Sequence, residues 1–240
     1  MVAGKMKCHL GVEALERILV WPYNKKIAIL SNYEAAKQIL QAFLISKFLN
    51  CTDERIYLVD YSGNFKIELI SSLSNASKKL KNIVYLNKIV HTVNGFSMHI
   101  HDPSEQSTTV TFDIRNVNVK YLIVTDYSPS RALKDVKGFL RIYCRKRKGR
   151  VYELKTFADK VLLAISSSGV EDVFKILPHY LFKALSILKE AAAEYGEYTV
   201  KDAIVIISSR IGVSKSFARR ILNDLVSYGF VEINRGQVIL

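Results

Sequence analysis

The stretch TVKDAIVIISSRIGVSKSFARRILNDLVSY (Thr199–Tyr228) carries two helical patterns separated by a break. Thr199 is suited to cap a helix over Val200–Ile211, because its hydroxyl can accept a hydrogen bond from a free backbone N–H of the first turn. Gly212 breaks the chain after that helix, and Ser214 can cap a second one. The stretch therefore predicts two helices joined by a short turn.

The flanking segments complete a small domain. Pro178–Tyr195 predicts a long amphipathic helix before the stretch. After it, Phe230–Ile233 and Gln237–Leu240 flank the tight-turn sequence Asn234–Gly236, which is typical of a hairpin. Three helices followed by a small hairpin predict a winged helix-turn-helix domain (α+β) over residues 174–240.

The third of these helices, Lys215–Tyr228, is expected to carry two faces. The apolar residues spaced for a core are Phe217, Ile221, Leu225 and Tyr228. Polar and basic residues form the opposite face, and with one residue of the hairpin tip they are the candidate DNA-binding residues: Lys215, Ser216, Arg219, Arg220, Asn223, Ser227 and Arg235. In the major groove Arg reads guanine or phosphate, Asn reads adenine, and Ser contacts either.

Overall charge favours a polyanionic partner. The net charge is +13 and the pI near 9.6, in a chain whose 49% hydrophobic content is enough for a folded core. The last part of the chain is less basic, with eight Lys and Arg against six Asp and Glu from Ile176 to Leu240. Docking of a protein is therefore the alternative role for the small domain.

Other function classes find little support. The three cysteines, Cys8, Cys51 and Cys144, are odd in number and far apart, which argues against a disulfide framework or a zinc site. His99 and His101 alternate as on a strand, without an evident third ligand. The apolar runs are of strand length and no signal peptide is apparent, so we expect a cytoplasmic protein with no membrane contact.

The first two-thirds of the chain alternate between strands and helices. Four apolar β-rich runs predict strands: Lys26–Leu30, Arg55–Asp60, Asn82–Leu86 and Val119–Thr125. Helical spacing predicts three intervening helices, the last of them weak: Tyr33–Leu49, Phe65–Leu80 and Val90–Met98. This alternation is typical of a parallel α/β sheet with right-handed crossovers.

The pattern changes after Pro129. A short helix over Ser130–Gly138 is expected first. Three edge strands joined by hairpins follow: Phe139–Cys144, Val151–Lys155 and Val161–Ser166. A domain boundary is predicted near Gly169–Phe174.

Residues of this region resemble the archaeal RadA and KaiC-like members of the RecA-type ATPases. Glu54–Ile70 (ERIYLVDYSGNFKIELI) resembles their second core strand, which ends in a D-T-E-G-x-F motif, and Lys120–Ser128 (KYLIVTDYS) looks like their Walker B strand. Arg141–Lys155 and Val161–Asp172 are similar to the basic hairpin and last strands of RadA, and Gly11–Ile18 to the segment that leads into the first core strand.

The resemblance spans roughly residues 10–172. It implies a RecA-like α/β domain over residues 1–173, with a mostly parallel sheet and helices on both faces. Few Cys, Met and Gln beside many Lys, Ile and Val are typical of a thermophilic archaeon.

The P-loop of that family, GxxxxGK[ST], is not preserved. In the corresponding stretch SNYEAAKQ, Ser31 and Ala36 stand where the two glycines belong, and Gln38 replaces the hydroxyl that would hold magnesium. Glu34 adds negative charge where phosphates would lie. Lys37 is the remnant of the motif.

The carboxylates are displaced as well. Asp60 of the second motif is kept, but the family's water-activating glutamate aligns with Ser62. The Walker B carboxylate aligns with Thr125, while Asp126 is one place on and would serve only if the strand ended early. These departures imply a domain that no longer hydrolyses ATP, with no catalytic residue, bound metal or cofactor.

A basic hairpin is the second candidate for nucleic-acid contact. Six cations and no acid lie between residues 141 and 150: Arg141, Arg145, Lys146, Arg147, Lys148 and Arg150. Tyr143 and Tyr152 interleave with them. Cations follow a phosphate backbone and aromatics stack on bases, whereas the alternative role of such a tip is to keep an exposed hairpin soluble.

Three functions remain open. The first is a DNA-binding RecA-like pseudo-ATPase, accessory to recombination, repair or chromosome maintenance, that pairs with a RecA-type ATPase or with itself. The second is a transcription regulator whose α/β domain dimerises or senses a ligand, a layout shared with CRISPR-associated archaeal regulators. The third is a nuclease built on Asp60, Asp102 and Asp126, which no sequence motif ties together.

Overall fold

A computed structural model describes residues 9–19, 26–61, 64–73, 76–92, 95–101, 108–111, 120–130, 133 and 136–240. The chain divides into two compact units. The first comprises Met1–Arg145 and Glu153–Glu171, and the second comprises Lys146–Tyr152 and Asp172–Leu240. The short segment Lys146–Tyr152, the tip of the basic hairpin, thus groups with the C-terminal residues.

The first unit contains ten strands and three short or medium helices among its described residues. Its strands are β1 Lys26–Leu30, β2 Ile56–Asp60, β3 Ile83–Thr92, β4 Gly95–His101, β5 Thr108–Thr111, β6 Tyr121–Asp126, β7 Leu140–Lys146, β8 Val151–Lys155, β9 Lys160–Ser166 and β10 Gly169–Asp172. Its helices are α1 Glu13–Ile18, α2 Glu34–Cys51 and α3 Glu68–Leu73, with a 3₁₀ helix at Ala76–Asn82.

All ten strands form one sheet in the order β10-β9-β8-β7-β1-β6-β2-β3-β4-β5. The five central strands, β7 to β3 in this order, pair in parallel. β4 and β5 extend one side in antiparallel fashion. On the other side β8, β9 and β10 follow one another through short connections, which only antiparallel neighbours allow. The expected α/β class is confirmed, as a mixed sheet with a parallel centre. The strand expected over Phe139–Cys144 as an edge strand is β7 instead, which pairs in parallel with β1 in the interior of the sheet.

Burial shows why the centre is parallel. Ile27, Ala28, Ile29 and Leu30 are each at most 3% exposed. Successive residues of a strand point to opposite faces, so both faces of the sheet are covered at β1. Near-continuous apolar runs belong in such strands, and this is why the sequence located them correctly.

The expected helix over Val90–Met98 is wrong. Its described residues, Val90–Thr92 and Gly95–Met98, lie in β3 and β4, which pair antiparallel with Thr92 opposite Gly95. β-branched residues before an Asn-Gly pair favour a hairpin, and these local signals outweigh the weak helical spacing. Thr108–Thr111 then adds an unpredicted edge strand.

Two other expected helices differ in extent. The helix predicted over Phe65–Leu80 is shorter, since α3 covers Glu68–Leu73 and a 3₁₀ turn follows at Ala76–Asn82. The helix expected over Ser130–Gly138 lies partly outside the described residues, and no helix is formed by those that are described.

The second unit contains three helices and a hairpin. The helices are α4 His179–Tyr195, α5 Val200–Ile211 and α6 Lys215–Tyr228, and the strands are β11 Glu232–Asn234 and β12 Gln237–Ile239. Apolar residues of all three helices share one core with Val231 and Val238. The bounds of α5 and α6 agree with the prediction because residues at both ends specify them.

The caps of α5 illustrate this. Thr199 Oγ1 accepts a hydrogen bond from Asp202 N–H, and the Asp202 carboxylate accepts one from Thr199 N–H, so the two residues form a capping box. At the other end Gly212 adopts φ 80°, where a residue with a Cβ would be strained.

Replacing Thr199 with Ala removes one half of this box. We expect the T199A variant to lose about 1 kcal/mol of unfolding free energy in the second unit. Ser209→Ala, on the exposed side of the same helix, is the control and should change it by less than about 0.5 kcal/mol. Urea denaturation followed by circular dichroism measures both, and equal stability of the two variants would contradict the role of the cap.

Candidate functional site

The polar face of α6 lies at the protein surface. Ser214 caps the helix by accepting a hydrogen bond from Phe217 N–H at 3.3 Å. The core side of the helix consists of Ala218, Ile221, Leu222 and Leu225. The candidate DNA-binding side chains of the helix are all exposed: Lys215, Ser216, Arg219, Arg220, Asn223 and Ser227.

Two residues of the expected core face are placed differently. Phe217 is 42% exposed and Tyr228 is half-buried. The helix is rotated so that Ala218 and Leu222 enter the core, at the spacing i, i+4 that continues through Ile221 and Leu225. An alanine gave too weak an apolar signal for this rotation to be read from the sequence.

Two arginines of the exposed face carry unpaired charge. Within the described part of the chain, neither Arg219 nor Arg220 has an ion-pair partner. Arg210 of α5, by contrast, is bound to Glu190 and Glu194. Arg219 and Arg220 are therefore available for an external anion.

The hairpin tip Lys146–Tyr152 contacts one flank of α6. The Lys148 ammonium donates to Asp224 Oδ1 and lies 5.2 Å from the centre of the Tyr228 ring. The hydrogen bond to Asp224 raises the pKa of Lys148. Arg147 lies against Gly229 at the C-terminal end of the helix, where the helix dipole favours a cation. No local sequence pattern indicates these contacts, since Lys148 and Asp224 are 76 positions apart.

The cations of the basic hairpin fall into two groups. Arg141 is structural, because its guanidinium donates to the carbonyls of Leu133 and Val136 at 2.7 Å each. The side chains of Arg145, Lys146 and Arg150 are exposed. The candidate residues of the tip and of α6 all belong to the second unit, whereas Arg145 belongs to the first.

Arg235 occupies the tip of the C-terminal hairpin. Asn234 pairs with Gln237, which leaves Arg235 and Gly236 as the two turn residues, with φ of 50° and 80°. Two positive φ angles are typical of the type I′ turn that suits a twisted hairpin. The turn holds the Arg235 side chain out in solvent.

The loop over residues 31–33, the position at which the sequence resemblance led us to expect a P-loop, is closed by internal hydrogen bonds. Ser31 N–H donates to the Asp126 carbonyl, and Tyr33 N–H donates to Ser31 Oγ. Asn32 and Ser128 bond reciprocally through side chain and backbone. A phosphate cradle needs backbone N–H groups directed at the ligand, and those of Ser31 and Tyr33 are directed at the protein.

Lys37 is buried and forms an ion pair with Glu34. Its side chain is 0% exposed, with its ammonium 2.8 Å from Glu34 Oε2 and 4.5 Å from the centre of the Tyr127 ring. Glu34 stands in the first turn of α2, where the helix dipole also favours a carboxylate. The carboxylate of Glu34 therefore interacts favourably with both the Lys37 ammonium and the positive end of the α2 dipole.

Two aspartates at the carboxyl ends of parallel strands, Asp60 of β2 and Asp126 of β6, stabilise the turns that follow these strands. Asp60 is buried, and its carboxylate accepts hydrogen bonds from Asn64 N–H, Phe65 N–H and Thr125 Oγ1 at 2.8–2.9 Å. β6 extends through Asp126, so this carboxylate points away from the face of Thr125, and it accepts from Tyr127 N–H and Ser130 Oγ. Asp102, the third carboxylate of the nuclease hypothesis, lies outside the described residues.

A polar cavity of about 440 Å³ lies beside this loop, where β1 and β7 end. Its lining includes Asn32, Tyr33, Tyr143, Arg145 and Lys155. Cys144 also lines it, and burial raises the pKa of its thiol to about 12. At neutral pH this cysteine is therefore a protonated, unreactive thiol rather than a nucleophile.

The described cysteines differ in their chemical state. Cys51 is disulfide-bonded, whereas Cys144 is free and buried. One bridge is compatible with an odd number of cysteines and is not the framework of several bridges that the sequence argued against. Among the described residues, no three His, Cys, Asp or Glu side chains are grouped as a metal site would require. The side chains of His99 and His101 are not among those described.

Comparison with known proteins adds no assignment. No protein-family model matches the chain, and no curated protein matches it significantly. Over the described part of the chain, every helix is too short or too polar to cross a lipid bilayer.

A double-mutant cycle tests the closed loop. Glu34→Gln leaves the buried Lys37 ammonium without its carboxylate, and we expect it to lower the unfolding free energy of the first unit by about 1–3 kcal/mol, since Glu34 is partly exposed. Lys37→Met should cost less than about 1.5 kcal/mol, because an apolar side chain of similar volume fills the site.

The E34Q/K37M double variant should regain most of the loss caused by Glu34→Gln alone, as expected for coupled neighbours. Guanidinium denaturation monitored by Trp21 fluorescence and circular dichroism measures the cycle. Additive effects of the two substitutions would show that Glu34 does not neutralise Lys37.

Proposed function

We propose that this chain is a DNA-binding protein whose C-terminal residues 174–240 form a winged helix-turn-helix domain with α6 as the recognition helix. The observation that carries the proposal is the exposed face of α6, with two unpaired guanidinium groups, Arg219 and Arg220, beside Asn223. A helix fits the major groove, and these side chain types are the ones that read base edges there.

The charge distribution supports a polyanionic partner. The segment from Ile176 to Leu240 is almost balanced in charge by itself. The hairpin tip adds Lys146, Arg147, Lys148 and Arg150 to the same unit without an acid. Basic side chains next to a recognition helix contact the phosphates and fix the register of the helix on DNA.

The C-terminal hairpin is suited to be the wing. It is joined to the start of α5, since Thr199 forms a bridge with Gln237 and Val238 N–H donates to the Tyr198 carbonyl. Its tip carries Arg235 in solvent. A cation at this place can reach a phosphate or the minor groove.

For the first unit we propose a RecA-like domain that does not hydrolyse ATP and that binds another protein acting on DNA. The internal bonds of Ser31 and Tyr33 and the pairing of Lys37 with Glu34 support this, because phosphoryl transfer needs cations and N–H groups that face the nucleotide. The protein would then be an accessory factor in recombination, repair or chromosome maintenance, with a RecA-type ATPase or a second copy as partner.

A specific observation favours the second candidate, a transcription regulator that senses a ligand. The cavity beside Tyr33 and Tyr143 lies at the carboxyl edge of parallel strands, the place where α/β sheets bind ligands. Arg145 and Lys155 would suit an anionic ligand there. Cooperative binding of a dimer to a palindromic duplex, altered by such a ligand, would favour this candidate over the accessory factor.

Removing the free guanidinium groups should weaken DNA binding. We expect Arg219→Ala and Arg220→Ala each to cost at least about 1 kcal/mol, roughly fivefold in the dissociation constant for duplex DNA. Fluorescence anisotropy at several salt concentrations measures this, and a lost phosphate contact also lowers the salt slope by about 0.9.

Lys189→Ala is the matched control, since Lys189 is an exposed cation on α4. It should leave the affinity within a factor of about two. Unchanged binding by a folded R219A/R220A double variant would reject α6 as the recognition helix.

Nucleotide should not change the interaction with DNA. With ATP and Mg²⁺ present we expect the same affinity as without them, and no phosphate release above background, because Lys37 is enclosed by Glu34 and Tyr127. The K37M variant should behave as the wild type in both measurements. ATP-dependent binding that this substitution abolishes would show that the P-loop remnant is functional.

A further inference from the structure

Among the described residues of the second unit, five large aromatic rings lie at the surface, of which Tyr195 at the end of α4 is the most exposed. Phe174, Tyr180, Phe182 and Phe217 are each 42–49% exposed. Two of them, Tyr180 of α4 and Phe217 of α6, form a pair whose ring centres are 6.2 Å apart and whose planes are tilted by 41°. Exposed aromatic rings next to one another indicate a binding surface rather than chance exposure.

This pair adjoins the proposed DNA interface directly. Phe217 lies one helical turn before Arg220, so that the two side chains share a flank of α6. Tyr180 stands in the same relation to the exposed Lys183 on α4. The Lys148 ammonium lies near enough to Tyr180 for the two groups to interact electrostatically.

The surroundings indicate which kind of molecule the rings contact. The cores of protein–protein interfaces are depleted of lysine, whereas these rings are bordered by Lys148, Lys183 and Arg220. Aromatic rings next to cations are typical of surfaces that bind single-stranded nucleic acid, where bases stack on the rings and phosphates meet the cations. Bases within a duplex cannot stack in this way, because their faces are already covered.

We propose that Tyr180 and Phe217 form a stacking surface for unpaired bases, so that the preferred ligand is duplex DNA continued by a single strand. The inference rests on the proposed function, because α6 would hold the duplex while the rings receive the first bases beyond it. The inference specifies the class of DNA that is bound, a duplex with a single-stranded extension, which the exposed face of α6 alone does not determine.

The experiment compares two DNAs by fluorescence anisotropy with the full chain. One is a blunt duplex, and the other is the same duplex with an oligothymidine overhang of about ten nucleotides, within the usual site size of such surfaces. We expect the wild type to bind the overhang DNA about five- to hundredfold more tightly than the blunt one, which corresponds to stacking of one base.

Variants assign this preference to the rings. The Y180L/F217L double variant keeps apolar bulk without an aromatic face, and should lose the preference while binding the blunt duplex within about twofold of the wild type. Y180F/F217Y retains both rings and should keep the preference. Phe157→Ala is the control, since Phe157 is a fully exposed aromatic residue of the first unit and should change neither affinity.

The outcomes separate the two proposals. A chain that binds neither DNA rejects the proposed function itself. A chain that binds the blunt duplex but gains nothing from the overhang rejects the stacking surface alone, and the rings are then a contact for another protein. Retention of the preference by Y180L/F217L, or an equal loss of affinity for both DNAs, overturns the assignment as well.

Discussion

A lysine ammonium that is buried away from water is stabilised by a negatively charged partner. This interaction holds together the segments that follow the central strands β1 and β6 of the α/β sheet. Lys37 is fully buried in α2, and Glu34 supplies its carboxylate at 2.8 Å while the face of the Tyr127 ring covers it. Removal of one member of such a pair typically costs about 3–5 kcal/mol when both are buried. Glu34 also lies at the positive end of the helix dipole. One carboxylate therefore satisfies both sources of positive potential, and the loops after β1 and β6 are tied together around it.

The sequence predicted those elements whose ends are chemically marked. The capping residues Thr199 and Ser214 and the helix-ending Gly212 are local signals, and α5 and α6 begin and end where these residues require. The central strands were found for a different reason, since a strand buried on both faces is apolar at every position. Where a capping residue or the burial of both faces of a strand determines an element, the sequence alone is sufficient to predict that element.

Prediction failed where distant parts of the chain decide. The orientation of α6 is an example, because Ala218 faces a core built from two other helices. The error over Val90–Met98 has another cause, since the signals that favour the pairing of β3 with β4 are local and a weak helical spacing was given more weight. In the candidate site the exposed polar residues of α6 could be predicted from spacing. The pairing of Lys148 with Asp224 depends on tertiary placement, which spacing does not encode. The pairing of Lys37 with Glu34 differs, since the two residues lie at i, i+3 on one helix and their proximity follows from spacing, whereas the complete burial of Lys37 does not.

The basic hairpin shows that a run of like charges is not one functional unit. Arg141 serves the fold through carbonyl groups, and Arg147 and Lys148 serve the packing against α6. Arg145 and Lys146 have exposed side chains that an external partner can reach. Counting the charge of such a segment therefore overstates the number of phosphates that it can contact.

Gly229 ends α6 with φ 87° and leaves room for Arg147, whose Nε would lie 3.1 Å from a Cβ at this position. The length of α6 and the seat of the hairpin tip thus share one residue. A side chain at position 229 would have to displace the Arg147 guanidinium, so a substitution that prolonged α6 would also disturb the hairpin tip, more than seventy residues away in the sequence but adjacent in the fold.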